Sequence, residues 1–496
     1  MDAKEALALV DRIYARLRNR RPEIDKFEKY YAGDQALTFA TDEWLKANGA
    51  RYAEFSDNWC ASVSNASGER TAVTGIKLRG ADPMVRDSGA IRRASSLWDE
   101  WSKNEMEAQS SQGFLTSFNS KRSYVLVWGT AGDEPEVSWE HPANVEIEYD
   151  WMNPRVRKAA LKTWVDESKE YATLYTATEV WKFERARSSA VRQLVGAPQS
   201  AQMAQQNAGA VGAWKPREVG AEPWPLPNPM KVVPIVEVPN RPQLRGEPVS
   251  EIAGVIPMQN AINLLWAYLF FAADYASMPA RVLLGASPPM RQILNEVGEI
   301  VGKEPLTMAQ LNESRFAVFS GENAKIDQWD PAKLDVFTEV IEIAVGHISS
   351  QTRTPPTYLV SKVGMSNVNS EGLKASEIGL VKKVVEFQTF ATPAMREVFR
   401  LIALARNDSS LAEEVRLSTI VWRNPEIRSE GQLADMLVKK KAIGYPLEYL
   451  MELDGVDPYD MQRVKEMIKA EQKAALDFGV ESALNGVEEP AADESV

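Results

Sequence analysis

The chain has 496 residues, a formal net charge of −12 at neutral pH and one cysteine, Cys60. A hydrophobic content of 44% allows sizeable cores in roughly two to four domains. The negative charge argues against a protein that wraps nucleic acid by neutralising its phosphates, and the lone cysteine excludes a disulfide framework or a thiolate metal site.

The N-terminal part of the chain is predicted to be helical. Apolar residues recur at helical spacing over 2–20, and Pro22 is predicted to begin a second helix that ends at Gly33. Further helices are predicted over 56–67 and 89–110, where tryptophans occupy the apolar positions.

From residue 123 the pattern changes to alternating apolar and polar residues. Short runs such as SYVLVW and EVSWEH follow each other without helices between them, which predicts an antiparallel sheet inside a mixed domain. Residues 186–229 are rich in Ala, Gln, Gly and Pro and have no sustained period, which predicts a flexible loop. The run VVPIVEVPN then predicts one more strand.

The uncharged segment 252–273 is close in length to the ~20 residues that cross a bilayer. Its first half contains proline, glutamine and asparagine, and no Lys/Arg cluster flanks it, so a helix buried in the protein or between subunits is favoured. A membrane-associated protein is kept as an alternative. Ser250 is predicted to cap this helix, and Glu251 to interact favourably with its dipole.

The following compact unit, 279–330, is predicted to contain strands over PARVLLG and RFAVFS with a short helix over 290–301 between them. The helix predicted next, over 331–353, has an unusual charge pattern. At about 100° per residue, the side chains of Asp335, Glu339 and Glu342 fall within a narrow wedge, which Gly346 and Ser349 continue. The predicted core face opposite this wedge consists of Phe337, Val340, Ile341, Ala344 and Ile348.

A solvated outer helix normally mixes both charge signs, whereas this wedge is entirely acidic. If several copies form a ring with these helices around the hole, the carboxylates become stacked rings of negative charge. Such a lining would repel phosphate and let DNA slide without being held.

The rest of the chain is predicted to be a loop followed by helices. Pro355 and Pro356 end the acidic helix, and Lys362 is the only cation of the loop over 354–373. A long helix bent at Pro393 then leads to strand-like residues. The remaining predictions are a long helix over 374–406, a strand over 415–422, short helices over 426–477 and a disordered acidic tail over 478–496.

No motif in the chain indicates catalysis. Walker A and GxGxxG patterns are absent, which argues against an ATP-driven motor. The only two histidines, His141 and His347, exclude HExxH-type zinc sites and are both interpreted as structural residues, His347 packed within its helix. We therefore predict no enzyme, metal or cofactor, although the residue counts leave open a hydrolase with an unrecognised acid pair.

Four strings, in order, carry a family resemblance over residues 20–475: RPEIDKFEKYYAGDQALTFA, SDNWCASVSNASGERTAVTGIKL, RGEPVSEIAGVIPMQNAINLL and TRTPPTYLVSKVGMSNVNSEGLKASEIGLVKKV. Together with the acidic helix, their order and spacing resemble the portal proteins of tailed bacteriophages with long, flexible tails. The third string resembles the G-x-S-E-L segment that leads into the family's first stem helix, although Ile252 stands where leucine is common.

The resemblance implies a mixed α+β, mainly helical fold with a wing, stem, clip and crown around a central channel. The implied parts are wing over 1–250 and 374–425, stem helices over 251–278 and 331–353, clip over 279–330, tunnel loop over 354–373 and crown over 426–477. Within this arrangement Asp335, Glu339 and Glu342 would line the channel, and Lys362 would contact DNA from the tunnel loop.

The resemblance also implies a ring of about twelve subunits at one capsid vertex. This ring would be the conduit for packaging and ejection of double-stranded viral DNA, without a membrane. Its implied partners are the terminase large subunit, the head–tail connector, and the major capsid and scaffolding proteins. The protein would lie in the virion, and in the host cytoplasm during assembly. A structural head protein without a channel, such as a minor capsid protein, is the main alternative.

Overall fold

A computed structural model describes most of the chain, namely residues 1–35, 57–79, 88–129, 134–166, 168–186, 212–220, 222–277, 281–284, 290–294, 300–305, 325–328, 333–359, 370–426, 430–456 and 460–485. The chain divides into two compact units. The first unit comprises Met1–Ala36, Asn58–Pro257 and Ile348–Val496, and the second comprises Leu37–Asp57 and Met258–His347.

Helices and strands are mixed throughout the described residues, which confirms the predicted α+β class. The described helices are α1 Ala3–Ala32, α2 Trp59–Gly68, α3 Ser88–Lys103, α4 Met106–Ser120, α5 Ile256–Ser277, α6 Asp335–Thr352, α7 Pro356–Leu359, α8 Ser370–Ala405, α9 Ser409–Val415, α10 Glu430–Ala442, α11 Leu447–Asp454 and α12 Met461–Asn485. The described strands are β1 Val73–Lys77, β2 Arg122–Trp128, β3 Glu136–Glu140, β4 Val145–Tyr149, β5 Arg157–Val165, β6 Lys169–Thr176, β7 Glu179–Ala186, β8 Lys215–Pro216, β9 Leu226–Pro227, β10 Ile235–Pro239, β11 Arg281–Leu284, β12 Met290–Leu294, β13 Ile300–Pro305, β14 Lys325–Gln328 and β15 Thr419–Trp422.

Helix α1 is one continuous helix, so the predicted break at Pro22 is wrong. An interior proline costs a helix roughly 3 kcal/mol. Packing beyond the proline offsets this cost, because Ile24 is buried and the buried Arg21 donates hydrogen bonds to the Ala143 carbonyl at 2.8 Å and to Thr163 Oγ1 at 3.0 Å. The helix ends at Gly33, as predicted, where φ is 82° and a glycine is favoured.

The single helix predicted over 89–110 is instead two helices, α3 and α4. Glu105 between them adopts a φ of 54°, in the left-handed region that no helix interior uses. Helix α4 packs closely on β3: a Cβ added at Gly113 would lie 1.9 Å from the ring of Trp139. Only glycine fits at that position.

The antiparallel strand pairing predicted after residue 123 is present, but it forms two sheets instead of one. Strands β10, β2 and β3 form one sheet, and β4 to β8 form a second in chain order, to which β9 adds by pairing with β7. Helix α1 packs on the second sheet through Val10 and Ile13. The flexible-loop prediction for 186–229 is wrong for its final part, because β8 and β9 belong to this sheet and Trp214 is buried. Residues 187–211 lie outside the described part of the chain.

The largest core of the first unit forms around α8. Phe387 of this helix packs against Phe118 of α4, with ring centroids 4.4 Å apart, and Phe399 stacks on Trp101 of α3 at 5.3 Å. The predicted long helix is thus confirmed with Pro393 in its interior, although it begins at Ser370, four residues before the predicted start. Strand β15 returns from it to pair with β1.

In the second unit, the short helix predicted over 290–301 is wrong. Strands β12 and β13 form an antiparallel hairpin there, and β11 pairs with β14. Both strands contain a short apolar pair next to polar residues, and periodicity cannot distinguish helix from strand in runs this short. The predicted strand RFAVFS lies outside the described residues.

None of the described helices, α5 included, combines the length and apolarity required of a membrane span.

Helices α10, α11 and α12 follow in the C-terminal part, where short helices are predicted; α10 and α11 are short, whereas α12 has 25 residues. Helix α12 extends to Asn485, so the first residues of the predicted tail 478–496 are helical and the prediction of disorder is wrong for them. The final residues, 486–496, are outside the described part.

Candidate channel helix and its anchoring contacts

Helix α6 carries the predicted acidic stripe. The side chains of Asp335, Glu339 and Glu342 are all exposed in the single chain. The helix contains neither lysine nor arginine, and none of the three carboxylates forms an ion pair with another described residue. The stripe is therefore an exposed line of negative charge that is paired with no cation in the part of the chain that the structure describes.

The buried face of α6 differs from the predicted one. Ile341, Ala344 and Ile348 are buried as predicted, but Val340 is 43% exposed. Ser349, predicted to extend the polar stripe, is buried and its hydroxyl donates to the Thr354 carbonyl at 2.7 Å. The buried face of α6 therefore does not coincide with the predicted one. Periodicity alone assigns polar residues such as Ser349 to solvent, but at the end of this helix Ser349 is buried and hydrogen-bonded.

A third face of α6 is apolar and exposed. Val336, Val340 and Ile343 are 55%, 43% and 56% exposed, and they lie about 100° around the helix from the acidic stripe. We name these three residues the apolar stripe. His347 continues it and is exposed, so its predicted packing is wrong.

The helix ends as predicted before the two prolines, at Thr352. Arg353 adopts a φ of 56°, which turns the chain out of the helix. The Thr352 hydroxyl donates to the Ile348 carbonyl at 2.7 Å. A further helix, α7, begins within the predicted loop 354–373. Lys362, the predicted DNA contact of this loop, lies outside the described residues.

Ser250 does not cap α5, which begins only at Ile256. Its hydroxyl instead donates to the Asn119 carbonyl at 2.5 Å and accepts from the Ile252 amide at 3.2 Å. The serine thus anchors the segment before the helix to the end of α4, because a buried hydroxyl must find partners.

The neighbouring Glu251 forms an ion pair that sequence reasoning missed. Its Oε2 lies 3.1 Å from Nζ of Lys383 on α8, and the two side chains are 2% and 4% exposed. Burial lowers the pKa of Lys383, although Glu251 opposes this shift. The sequence contains one indication that Lys383 is buried. This lysine lies at helical spacing between the apolar residues Leu380 and Phe387.

His141, interpreted above as a structural residue, directly follows β3 and contacts Glu28 of α1. Its Nδ1 accepts a hydrogen bond from the Ala143 amide at 3.2 Å. Within the described part of the chain, no group of three or more His, Cys, Asp or Glu side chains is arranged to hold a metal ion.

Comparison with known proteins identifies the family. The family described as phage portal protein, SPP1 Gp6-like, matches residues 10–474. The chain therefore belongs to the phage portal protein family. It is 24% identical over 426 residues to the portal protein of Mycobacterium phage L5, which covers 83% of this chain and 78% of that protein. The portal protein of Mycobacterium phage D29 is 24% identical over 431 residues, with the same shares.

Two solved structures show a more distant likeness. The neck of an empty GTA particle computed with C6 symmetry has a TM-score of 0.43 at 10% identity, covering 84% of this chain and 94% of that chain. The neck of a native GTA particle computed with C12 symmetry has a TM-score of 0.39 at 9% identity, covering 70% and 79%.

Proposed function

We propose that this portal protein closes into a ring of about twelve copies that conducts double-stranded viral DNA through its hole. The observation that carries the proposal is the division of α6 into three faces: buried, acidic, and exposed apolar. A ring at one capsid vertex would use each of these faces for a different purpose.

In such a ring, a helix beside the hole has three surroundings: its own subunit, the next subunit and the hole. The buried face suits the first, and the apolar stripe suits the second, because an exposed apolar patch is stabilised by contact with protein. The acidic stripe then faces the hole. Head-to-tail contacts that repeat around an axis can close into such a ring.

An acidic hole suits a conduit. Phosphates and carboxylates of like charge repel each other, so DNA would pass without forming contacts that must later be broken. Lys362 in the tunnel loop 354–373 would supply one sparse phosphate contact per subunit. The chain itself would have no enzymatic role, and the terminase would supply the chemical energy for packaging.

The assignment of the remaining parts follows the same proposal. Residues 1–250 and 374–425 form the wing, and α5 and α6 form the stem. Tyr268 and Phe271 of α5 are exposed, which supports contacts of this helix with a neighbouring copy. Residues 426–477 form the crown.

The clip, 279–330, is proposed as the surface on which the terminase large subunit and later the head–tail connector dock. The β12–β13 hairpin supports this role. Four of its apolar side chains are exposed, those of Met290, Ile293, Ile300 and Val301. The wing and crown would face the major capsid and scaffolding proteins at the capsid vertex.

Electron microscopy of the purified full chain tests the proposal. We expect closed rings with a central hole, in which α6 lines the hole with its acidic stripe facing inward. A preparation that contains only monomers or dimers would contradict the conduit and favour a minor capsid protein. Rings whose holes are lined by cations would contradict the proposed role of the stripe. Recovery only with detergent would favour a membrane-associated protein.

A further inference from the structure

The buried amine of Lys383 joins three parts of the first unit. Its Nζ lies 3.1 Å from Glu251 Oε2 and donates a hydrogen bond to the Thr352 carbonyl at 2.9 Å. Glu251 lies five residues before α5 begins, Thr352 is the last residue of α6, and Lys383 belongs to α8. We name these three residues the Lys383 clamp.

Both partners of the lysine are held in place by other contacts. Glu251 Oε1 accepts from Asn240 Nδ2 at 3.3 Å, and the Glu251 amide donates to the Phe118 carbonyl at 2.9 Å. At the other partner, the Thr352 hydroxyl donates to the Ile348 carbonyl and its oxygen lies 3.0 Å from Thr354 Oγ1, from which it can accept a hydrogen bond. The clamp therefore connects two segments that are each already ordered.

Stability alone does not explain a buried lysine here. Replacing a buried ion pair by apolar residues of similar volume is often neutral or stabilising. The carbonyls of the last helical turn, however, have no partner within their helix, and an ammonium group can satisfy one while also pairing with a carboxylate. An apolar side chain could fill the volume but could not hold a carboxylate and a carbonyl at defined positions.

We propose that Lys383 is a positioning residue, which fixes the segment leading into the first stem helix and the end of the second stem helix to one point of the long wing helix. A displacement of α8 at this point is then transmitted to both stem segments together. The assignment of these helices to stem and wing rests on the proposed function, whereas the clamp is a property of the single chain.

Hydrogen–deuterium exchange of the full-length protein tests the clamp. In Lys383→Met we expect exchange in peptides covering 251–256 and 349–354 to rise about tenfold or more, because a buried bond to a charged group is lost at each. Lys382→Met is the matched control, since Lys382 is the exposed neighbour and its loss should change neither peptide.

Two further variants separate positioning from general stability. Glu251→Gln should raise exchange over 251–256 but leave 349–354 protected, because the lysine still donates to the Thr352 carbonyl. The double variant Lys383→Met/Glu251→Leu should recover thermal stability while both peptides stay unprotected. A uniform rise across the first unit, or restored local protection in the double variant, would overturn the proposal. Since exchange is read on the chain without DNA, failure to form rings would refute the proposed function and leave the clamp intact.

Discussion

The buried Arg70 forms an ion pair with the partly buried Glu377, with Nη2 of the arginine 3.1 Å from Oε1 of the glutamate. The same Nη2 donates to the Tyr358 hydroxyl at 2.6 Å, and Nη1 donates to the Pro425 carbonyl at 3.1 Å. Tyr358 belongs to α7 and Glu377 to the first turns of α8, so one guanidinium holds helices on both sides of residues 360–369. Arginine suits this position because its planar fork presents several donors at fixed angles.

Arg70→Met should lower the free energy of unfolding by about 1–3 kcal/mol, because it leaves the partly buried carboxylate of Glu377 without its hydrogen-bond donor and charge partner. Urea denaturation measures this loss. Arg416→Met is the control, since its ion pair with Glu413 is exposed and such pairs contribute about 0–1 kcal/mol. Equal effects of the two substitutions would show that the Arg70 contacts add nothing beyond a surface pair.

Neutralising the acidic stripe should increase DNA binding by the assembled protein. In the triple variant Asp335→Asn/Glu339→Gln/Glu342→Gln we expect tighter binding at low salt, and a difference that shrinks as salt screens the charges. Fluorescence anisotropy with a short duplex measures both. A control triple at the exposed residues Glu69, Glu413 and Glu471 removes the same charge elsewhere. If both triples bind DNA equally, net charge alone explains the effect.

A charge in the apolar stripe should prevent assembly without unfolding the chain. Val340→Glu/Ile343→Glu places two carboxylates where the proposal puts a contact between copies, and an unpaired buried charge is strongly unfavourable. Mass photometry should report subunits in place of rings, while circular dichroism stays unchanged. Leu417→Glu, at an exposed apolar residue of the first unit, should still form rings. Rings from the double variant would place this stripe outside the subunit contact.

Glu397 should make the first unit sensitive to acid. Burial by itself would raise the pKa of this carboxyl, but hydrogen bonds from Arg400 at 2.7 Å and the charge of Arg157 outweigh burial and lower the pKa. Because the pKa of Glu397 is lower in the folded state, this carboxylate stabilises the fold fully above its unfolded-state pKa of about 4.3. The stabilisation is lost as the pH falls through the folded-state pKa.

Glu397→Gln should therefore lower stability at neutral pH and flatten the loss of stability below about pH 4. The urea midpoint measured across this range checks both effects. Glu413→Gln, at an exposed carboxylate, should leave the curve almost unchanged. An unaltered acid dependence in Glu397→Gln would contradict the assignment.

Cys60 should resist thiol reagents in the folded protein. Burial in α2 raises the pKa of its thiol to about 12, and the thiolate is the reactive form. Ellman's reagent at about pH 8 should detect no thiol until denaturant is added, and then one per chain. Rapid labelling of the folded protein would show that the helix opens readily.

Several elements were predictable because short-range patterns determine them. Strand β4, with the sequence VEIEY, alternates apolar and polar residues, and the end of α6 follows from Pro355 and Pro356. Pro22 was misinterpreted for the opposite reason, since contacts made by Arg21 across the chain outweigh a local helix breaker. The β12–β13 hairpin was mistaken for a helix because short apolar runs fit both periods.

Residue identity and spacing along the chain are sufficient to derive the mixed fold class, the order of the long helices, the acidic stripe on α6 and the family resemblance. Long-range packing sets which apolar residues of α6 stay exposed, and it buries Lys383 and Arg70 beside Glu251 and Glu377. Such contacts join residues far apart in the chain. Whether a charge is buried depends on the surfaces that fold over it, which local periodicity does not encode.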